Sequence, residues 1–244
     1  DEELKPYFPL NQVQDAVFGW AGKLFGLTFE ERNDIPKYHE DVKVYEVKEN
    51  GTYKSLLYVD YFPRKGKRAG AWMTSYKNQY KQNGENSRPH ISIVCNFSKP
   101  TKDTPSLLTF QEVTTLFHEF GHALHGMMAD TQYPTLSGTS VKWDFVELPS
   151  QFLENFCYEP EFLKTFAKHY QTGEILSNEK IEKLSQSKSF MEGYQTLRQL
   201  GFGLLDMAYH IKSEDVKDVK AFEDTQTKAT QLYPVNPETA ISPS

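Results

Sequence analysis

The chain has 244 residues, enough for one domain or two small ones with a sizeable core. With 38% hydrophobic and 25% charged residues it has an ordinary globular balance, and no apolar run approaches the roughly 18–20 residues that a membrane-spanning helix needs. Its net charge of −6 offers none of the basic footprint that nucleic-acid binding requires.

From Leu10 to Leu27 apolar residues recur at helical spacing (Val13, Val17, Trp20, Leu24), and Gly26 marks a stop. Beyond Asp34-Ile35-Pro36 the pattern changes to strands. Val42, Val44 and Val47 nearly alternate with polar residues, and Leu56–Phe62 and Ile91–Phe97 are short runs of β-branched and aromatic residues. Asn50-Gly51 between the first two is a hairpin signal. The basic link Arg64-Lys65-Gly66-Lys67-Arg68 reads as a solvated loop. From about Leu108 the chain becomes helical, with Val113, Leu116, Phe117, Phe120, Leu124 and Met127 on a 3.6-residue period. Further helices are expected around 145–157, 159–171, 178–187, 189–212 and 218–231. The expected architecture is α+β and mainly helical, a small antiparallel-containing sheet followed by a helical body. It reads as one unit over 1–244, with a helix and sheet at 1–107, a metal-binding helical part at 108–232 and a loose segment at 233–244. Most of the 14 tyrosines and 17 phenylalanines are expected in the core.

Cys95 and Cys157 lie in apolar runs without metal-ligand spacing and are expected as buried free thiols, which suits a reducing, cytoplasmic setting. The chain opens on Asp1-Glu2-Glu3-Leu4 without an initiator methionine or signal peptide. It closes on the proline-punctuated stretch from Pro234 to Ser244. The expectation is a piece of a longer protein whose N- and C-terminal parts are missing.

The chemistry concentrates on one helix. His118 and His122 are four residues apart, so both imidazoles project from one face about a turn apart, a separation suited to two ligands of one tetrahedral Zn²⁺. Glu119 stands where a carboxylate can serve as general base toward a water that the metal activates. Phe117, Phe120 and Leu124 make the helix amphipathic, so this polar face needs partners. His125 lies near the same face but roughly 10 Å along the axis from His118, too far for a shared metal, and reads as a substrate-side or outer residue or as plain packing. The third ligand must come from another element. By residue type Asp130, Asp144, Glu147, Glu154, His169, Glu192 and His210 all qualify, and spacing does not choose among them.

The stretch from Phe117 to Gly126 resembles the zinc helix of the thimet-oligopeptidase family, which includes oligopeptidase A and the bacterial peptidyl-dipeptidases. Trp143-Asp144-Phe145-Val146-Glu147-Leu148-Pro149-Ser150-Gln151-Phe152 resembles that family's second metal motif. The likeness extends to Ser137-Gly138-Thr139-Ser140, Arg68-Ala69-Gly70-Ala71-Trp72-Met73 and Val94-Cys95-Asn96-Phe97. It implies a zinc-dependent peptidase of short oligopeptides, acting internally or as a peptidyl-dipeptidase. One Zn²⁺ per chain would be held by His118, His122 and Glu147, with Glu119 as base. It implies a peptide-binding edge strand near Ala69-Gly70-Ala71, for which a tight turn is the alternative. Related zinc peptidases place a histidine-orienting carboxylate four residues beyond the ligand glutamate. Gln151 stands there, which leaves an amide, Asp144 or a residue elsewhere for that task. The resemblance also implies tyrosine and histidine oxyanion donors on a segment that follows the last motif. Without it the fragment is expected to be feeble or inactive, since one lost donor costs about 10²–10³ in rate. The alternative from another class is a non-catalytic zinc-stapled binding module, which predicts four protein ligands and a closed site.

Overall fold

The computed structural model describes residues 2–234 and 236–242, in two compact units, Asp1–Ser185 and Gln186–Ser244. In the first, helix α1 (Leu10–Phe25) buries Leu10, Val13, Val17 and Ala21, the i, i+3, i+4 stripe of a half-buried helix. Leu24 falls off that stripe and is exposed, while Trp20 packs against Phe156 and Phe162. Gly26 ends the helix at φ 67°, its N–H donating to the Gly22 carbonyl.

A five-stranded mixed sheet follows the helix. Strands β1 (Leu27–Glu31), β2 (Lys43–Glu49) and β3 (Thr52–Asp60) form an antiparallel meander. Asn50 and Gly51, both at positive φ, make the tight turn between the last two. Strands β4 (Trp72–Lys77), β5 (Tyr80–Gln82) and β6 (Glu85–Ser87) precede β7 (His90–Val94). β7 lies parallel to β3 and antiparallel to β4, giving the order β1-β2-β3-β7-β4 with β4 at one edge and β1 at the other, and β5 and β6 make a separate hairpin.

The basic link after β3 is only in part the solvated loop its composition suggests, since Lys65, Gly66 and Arg68 are exposed but Arg64 and Lys67 are not. Asp60 is buried at 1% exposure, and Arg64 and Lys67 fold back onto it. Lys67 Nζ donates to the Asp60 and Phe62 carbonyls and to Asp60 Oδ1, and Tyr38 donates to Oδ2. Burial opposes ionisation of Asp60, but hydrogen bonds from Arg64, Lys67 and Tyr38 prevail and hold its carboxyl below the usual carboxylate range.

Helix α2 (Phe110–Met127) begins with a capping box, Thr109 Oγ1 accepting from the Glu112 N–H and Glu112 accepting from the Thr109 N–H. It lies against the sheet so closely that a Cβ on Gly126 would stand 2.7 Å from Ile91 Cδ1. Sheet and α2 therefore share one core, and the boundary expected at 107/108 runs through its middle. After α2 come α3 (Trp143–Val146), α4 (Leu148–Phe156), α5 (Pro160–Phe166) and α6 (Asn178–Ser187). Cys95 and Cys157 are free and buried.

The second unit is built on α7 (Glu192–His210) and α8 (Val219–Thr227), the latter capped by Asp218. Glu223 of α8 is buried and accepts from the backbone N–H groups of Ile241 and Ser242. Among the described residues no helix is long and apolar enough to cross a membrane.

Candidate metal centre and active site

α2 carries His118, Glu119 and His122, and its neighbour α4 is drawn unusually close. A Cβ on Gly121 would lie 2.5 Å from both Pro149 O and Ser150 Cα, so the glycine between the histidines is what admits the α4 backbone. That contact brings Glu147, at the junction of α3 and α4, over the histidine face. Its Oε2 stands 3.2 Å from His118 Nε2 and 3.0 Å from His122 Nε2. Ser150, fully buried, donates to the same Oε2 at 2.7 Å and to the Glu147 carbonyl at 3.0 Å, fixing the carboxylate's direction.

Of the seven residues open as a third ligand, Glu147 is, among the described residues, the one gathered with His118 and His122, and the three donor atoms lie within 4.8 Å of one another. Donors around a tetrahedral zinc at bonds near 2.0–2.1 Å stand roughly 3.3 Å apart, so this two-nitrogen, one-oxygen set fits such an ion. The far side of the His118 ring is also committed. Its Nδ1 is 2.5 Å from Glu154 Oε1, which leaves Nε2 facing the centre. That hydrogen bond raises the His118 pKa against the opposing effect of burial. His122 Nδ1 is buried without a hydrogen-bond partner among the described residues, and burial lowers its pKa. For Glu147 burial is outweighed by Ser150 and the two histidines, and the carboxyl is held below its usual range.

Glu119 is 6% exposed. Burial pushes its carboxyl up to about 6, His118 pulls it down, and the charges of Glu147 and Glu154 add to the rise. A cavity of about 330 Å³ opens beside these groups, with Glu119, His118, His122 and Glu147 on one wall, Ala71, Trp72 and Met73 on another, and Thr139 and Val146 completing it. Edge strand β4 thus begins at the cavity. Ala69 and Gly70 form the bend before it, with Gly70 at φ 96° and Asn96 Nδ2 donating to its carbonyl at 2.7 Å.

Other expected residues stand apart. His125 lines a separate apolar hollow with Phe25, Leu124 and Phe152, its ring centroid 6.2 Å from that of Phe145. Asp144 is exposed in the first turn of α3 and caps neither helix. The Gln151 side chain is exposed, and the carboxylate behind His118 is Glu154, one helical turn further along α4. A signal for Glu154 was present, because seven residues beyond Glu147 on a helix returns to nearly the same face. Ser150 and Gly121 carried no signal of their own, since only the approach of α4 gives them a task.

A pair of histidines one helical turn apart, a carboxylate from a second helix, a buried glutamate and an open cavity make the donor set of metal-dependent hydrolases. The chain belongs to Peptidase family M3, which it matches over residues 1–242. It is 43% identical over 236 residues to a dipeptidyl carboxypeptidase of Salmonella typhimurium, covering 95% of this chain and 34% of that protein. It is 40% identical over 240 residues to oligopeptidase A of Escherichia coli, covering 97% and 35%. It is 44% identical over 227 residues to the Escherichia coli dipeptidyl carboxypeptidase, covering 91% and 33%. The chain spans about a third of the length of these curated relatives.

Proposed function

We propose that this chain carries the catalytic centre of a zinc peptidase that hydrolyses short oligopeptides, with His118, His122 and Glu147 as ligands and Glu119 as general base. The observation that carries the reading is the convergence of those three donors beside a cavity walled by Glu119. A bound zinc would supply Lewis-acid polarisation of a substrate carbonyl and of the attacking water. Glu119, buried and next to His118, takes the proton of that water and returns it to the departing amine. Glu154 holds the His118 ring so that Nε2 faces the ion, and Ser150 does the same for the Glu147 carboxylate. A peptide lies along the free edge of β4, where Ala71 leaves room for close approach. The three-donor set with open space beside it favours this over a zinc staple, which needs four protein ligands.

Among the described residues no tyrosine lines the cavity at the centre, and without an oxyanion donor there turnover would be slow. The buried free thiols favour a reducing compartment, in keeping with the cytoplasmic reading. Relatives in Arabidopsis thaliana are named as a probable cytosolic and as a chloroplastic/mitochondrial oligopeptidase A. Zinc stoichiometry and prolonged peptide hydrolysis read by mass spectrometry test the proposal. Glu119→Gln should keep one zinc and lose about 10²–10⁴ in rate. Unchanged hydrolysis in that variant would sink the assignment of the base. Cleavage of a peptide and its C-terminally amidated twin separates removal of dipeptides from internal cutting.

A further inference from the structure

Of the basic residues after β3, Arg64 and Lys67 are consumed by Asp60, but Arg68 is not. It is exposed, and among the described residues no carboxylate pairs with it. Its guanidinium carbon sits 5.0 Å from the centroid of the Trp72 ring. Trp72 in turn lines the cavity that holds His118, Glu119 and Glu147. The base of this arm is fixed, since Asn96 Nδ2 donates to the Arg68 carbonyl at 3.0 Å and to the Gly70 carbonyl at 2.7 Å. An unpaired cation is therefore stacked at the rim of a site whose interior is lined with carboxylates.

Direction adds to this. A peptide pairing antiparallel with the free edge of β4 runs its C-terminal residues toward the strand's N-terminal end, which is the end where Arg68 stands. From Ala71 at the cavity wall to Arg68 is three residues, at most about 10 Å of chain. A substrate carboxylate two or three residues beyond the reacting bond falls within reach of the guanidinium fork, which matches a carboxylate with two hydrogen bonds.

We propose that Arg68 anchors a peptide carboxylate on the C-terminal side of the reacting bond, and so selects substrates that end there. The inference rests on the peptidase reading above. The test uses the zinc-loaded chain in a Glu119→Gln background, so that peptide is not consumed, and titration calorimetry with penta-alanine, its C-terminal amide and an amide whose last residue is aspartate. Zinc affinity is measured separately by chelator competition. The free acid should bind about tenfold tighter than the amide, Arg68→Ala should bring that ratio to about one with zinc affinity unchanged, and Arg68→Lys should keep part of it. If aspartate restores binding to the amide through Arg68, the anchor also accepts a side-chain carboxylate. If it does not, the anchor is confined to the chain terminus. Both results support an anchor. A tenfold preference surviving in Arg68→Ala, or absent from the parent, overturns the inference while leaving a zinc-binding centre intact. Failure to take up zinc overturns the reading beneath it as well.

Discussion

α2 and α7 are of nearly equal length, 18 and 19 residues, yet they are stabilised in different ways. Most of α2 is buried, from Phe110 to Met127, including the polar Glu119 and His122. On α7 the buried residues are Gly201 and Leu205, while Leu200, Leu204 and Met207 are each at least half exposed. A helix buried on nearly every side has its axial position and rotation fixed by packing, and its side chains can hold a metal geometry to within tenths of an ångström. A helix with one thin buried strip has neither constraint and rests largely on intrinsic propensity.

The largest expected difference follows from truncating one apolar side chain on each helix. Phe120→Ala, at 0% exposure, should cost about 3–5 kcal/mol in denaturant unfolding. Leu204→Ala should stay within about 0.5 kcal/mol. Equal losses would break the comparison.

Next comes a pair of buried carboxylates, Asp60 from the first unit and Glu223 from the second. Asp60→Asn strands Lys67, whose side chain is 3% exposed, and should cost about 3 kcal/mol. Glu223→Gln keeps an acceptor for its backbone partners and should cost about 1 kcal/mol. Hydrogen bonds to Ser242 and its neighbours outweigh burial at Glu223 and hold its carboxyl low, as Asp60 is held low. A group depressed in the folded state stabilises above its unfolded pKa, near 4 for a carboxyl, and loses that contribution as pH falls through the folded value. Acid titration of stability should therefore flatten in Asp60→Asn, and an unaltered acid limb would contradict the assignment.

A third pair uses glycines. Gly121→Ala drives a methyl into the α4 backbone and should cost about 1–3 kcal/mol, with a measurable loss of zinc affinity. Gly203→Ala on α7 meets open space and should stabilise by up to about 1 kcal/mol. The smallest effect on stability is expected from Glu154→Gln, which keeps an acceptor for His118 Nδ1 but removes the charge. Chelator competition should show zinc affinity weakened by about tenfold, with the melting curve little changed.

Legibility from sequence followed the same division. α2 reads clearly because its 3.6-residue period and its burial agree, and the two histidines and Glu119 come with it. The helix expected at 145–157 is broken in two at Glu147, where Pro149 starts α4 afresh. The helix expected at 159–171 stops at Phe166, and Tyr170 donates its N–H to the Pro6 carbonyl instead. That pairing is between residues far apart in sequence and leaves no local trace. Periodicity does not mark strand β4, because Trp72 to Ser75 are all half-buried and the alternation of a strand is absent. The resemblance alone points to an edge strand, and it points a few residues early, at the bend of Ala69 and Gly70. Spacing leaves the third donor open among seven residues for a related reason, and the resemblance alone points to Glu147. What selects Glu147 is the missing side chain at Gly121, and a missing side chain has no pattern.

That glycine has a further consequence. With main chain resting on main chain, the span between Glu147 and the two histidines is not adjusted by rotating a long side chain, because the carboxylate is already tethered by Ser150. If the three groups hold a metal, their spacing would suit a small ion better than calcium, whose oxygen bonds of 2.3–2.6 Å and six or more ligands need a wider cage. An ion bound there would face the open cavity on its remaining side, so a small change in the spacing of α2 and α4 would register in how tightly the ion is held before it registered in the fold.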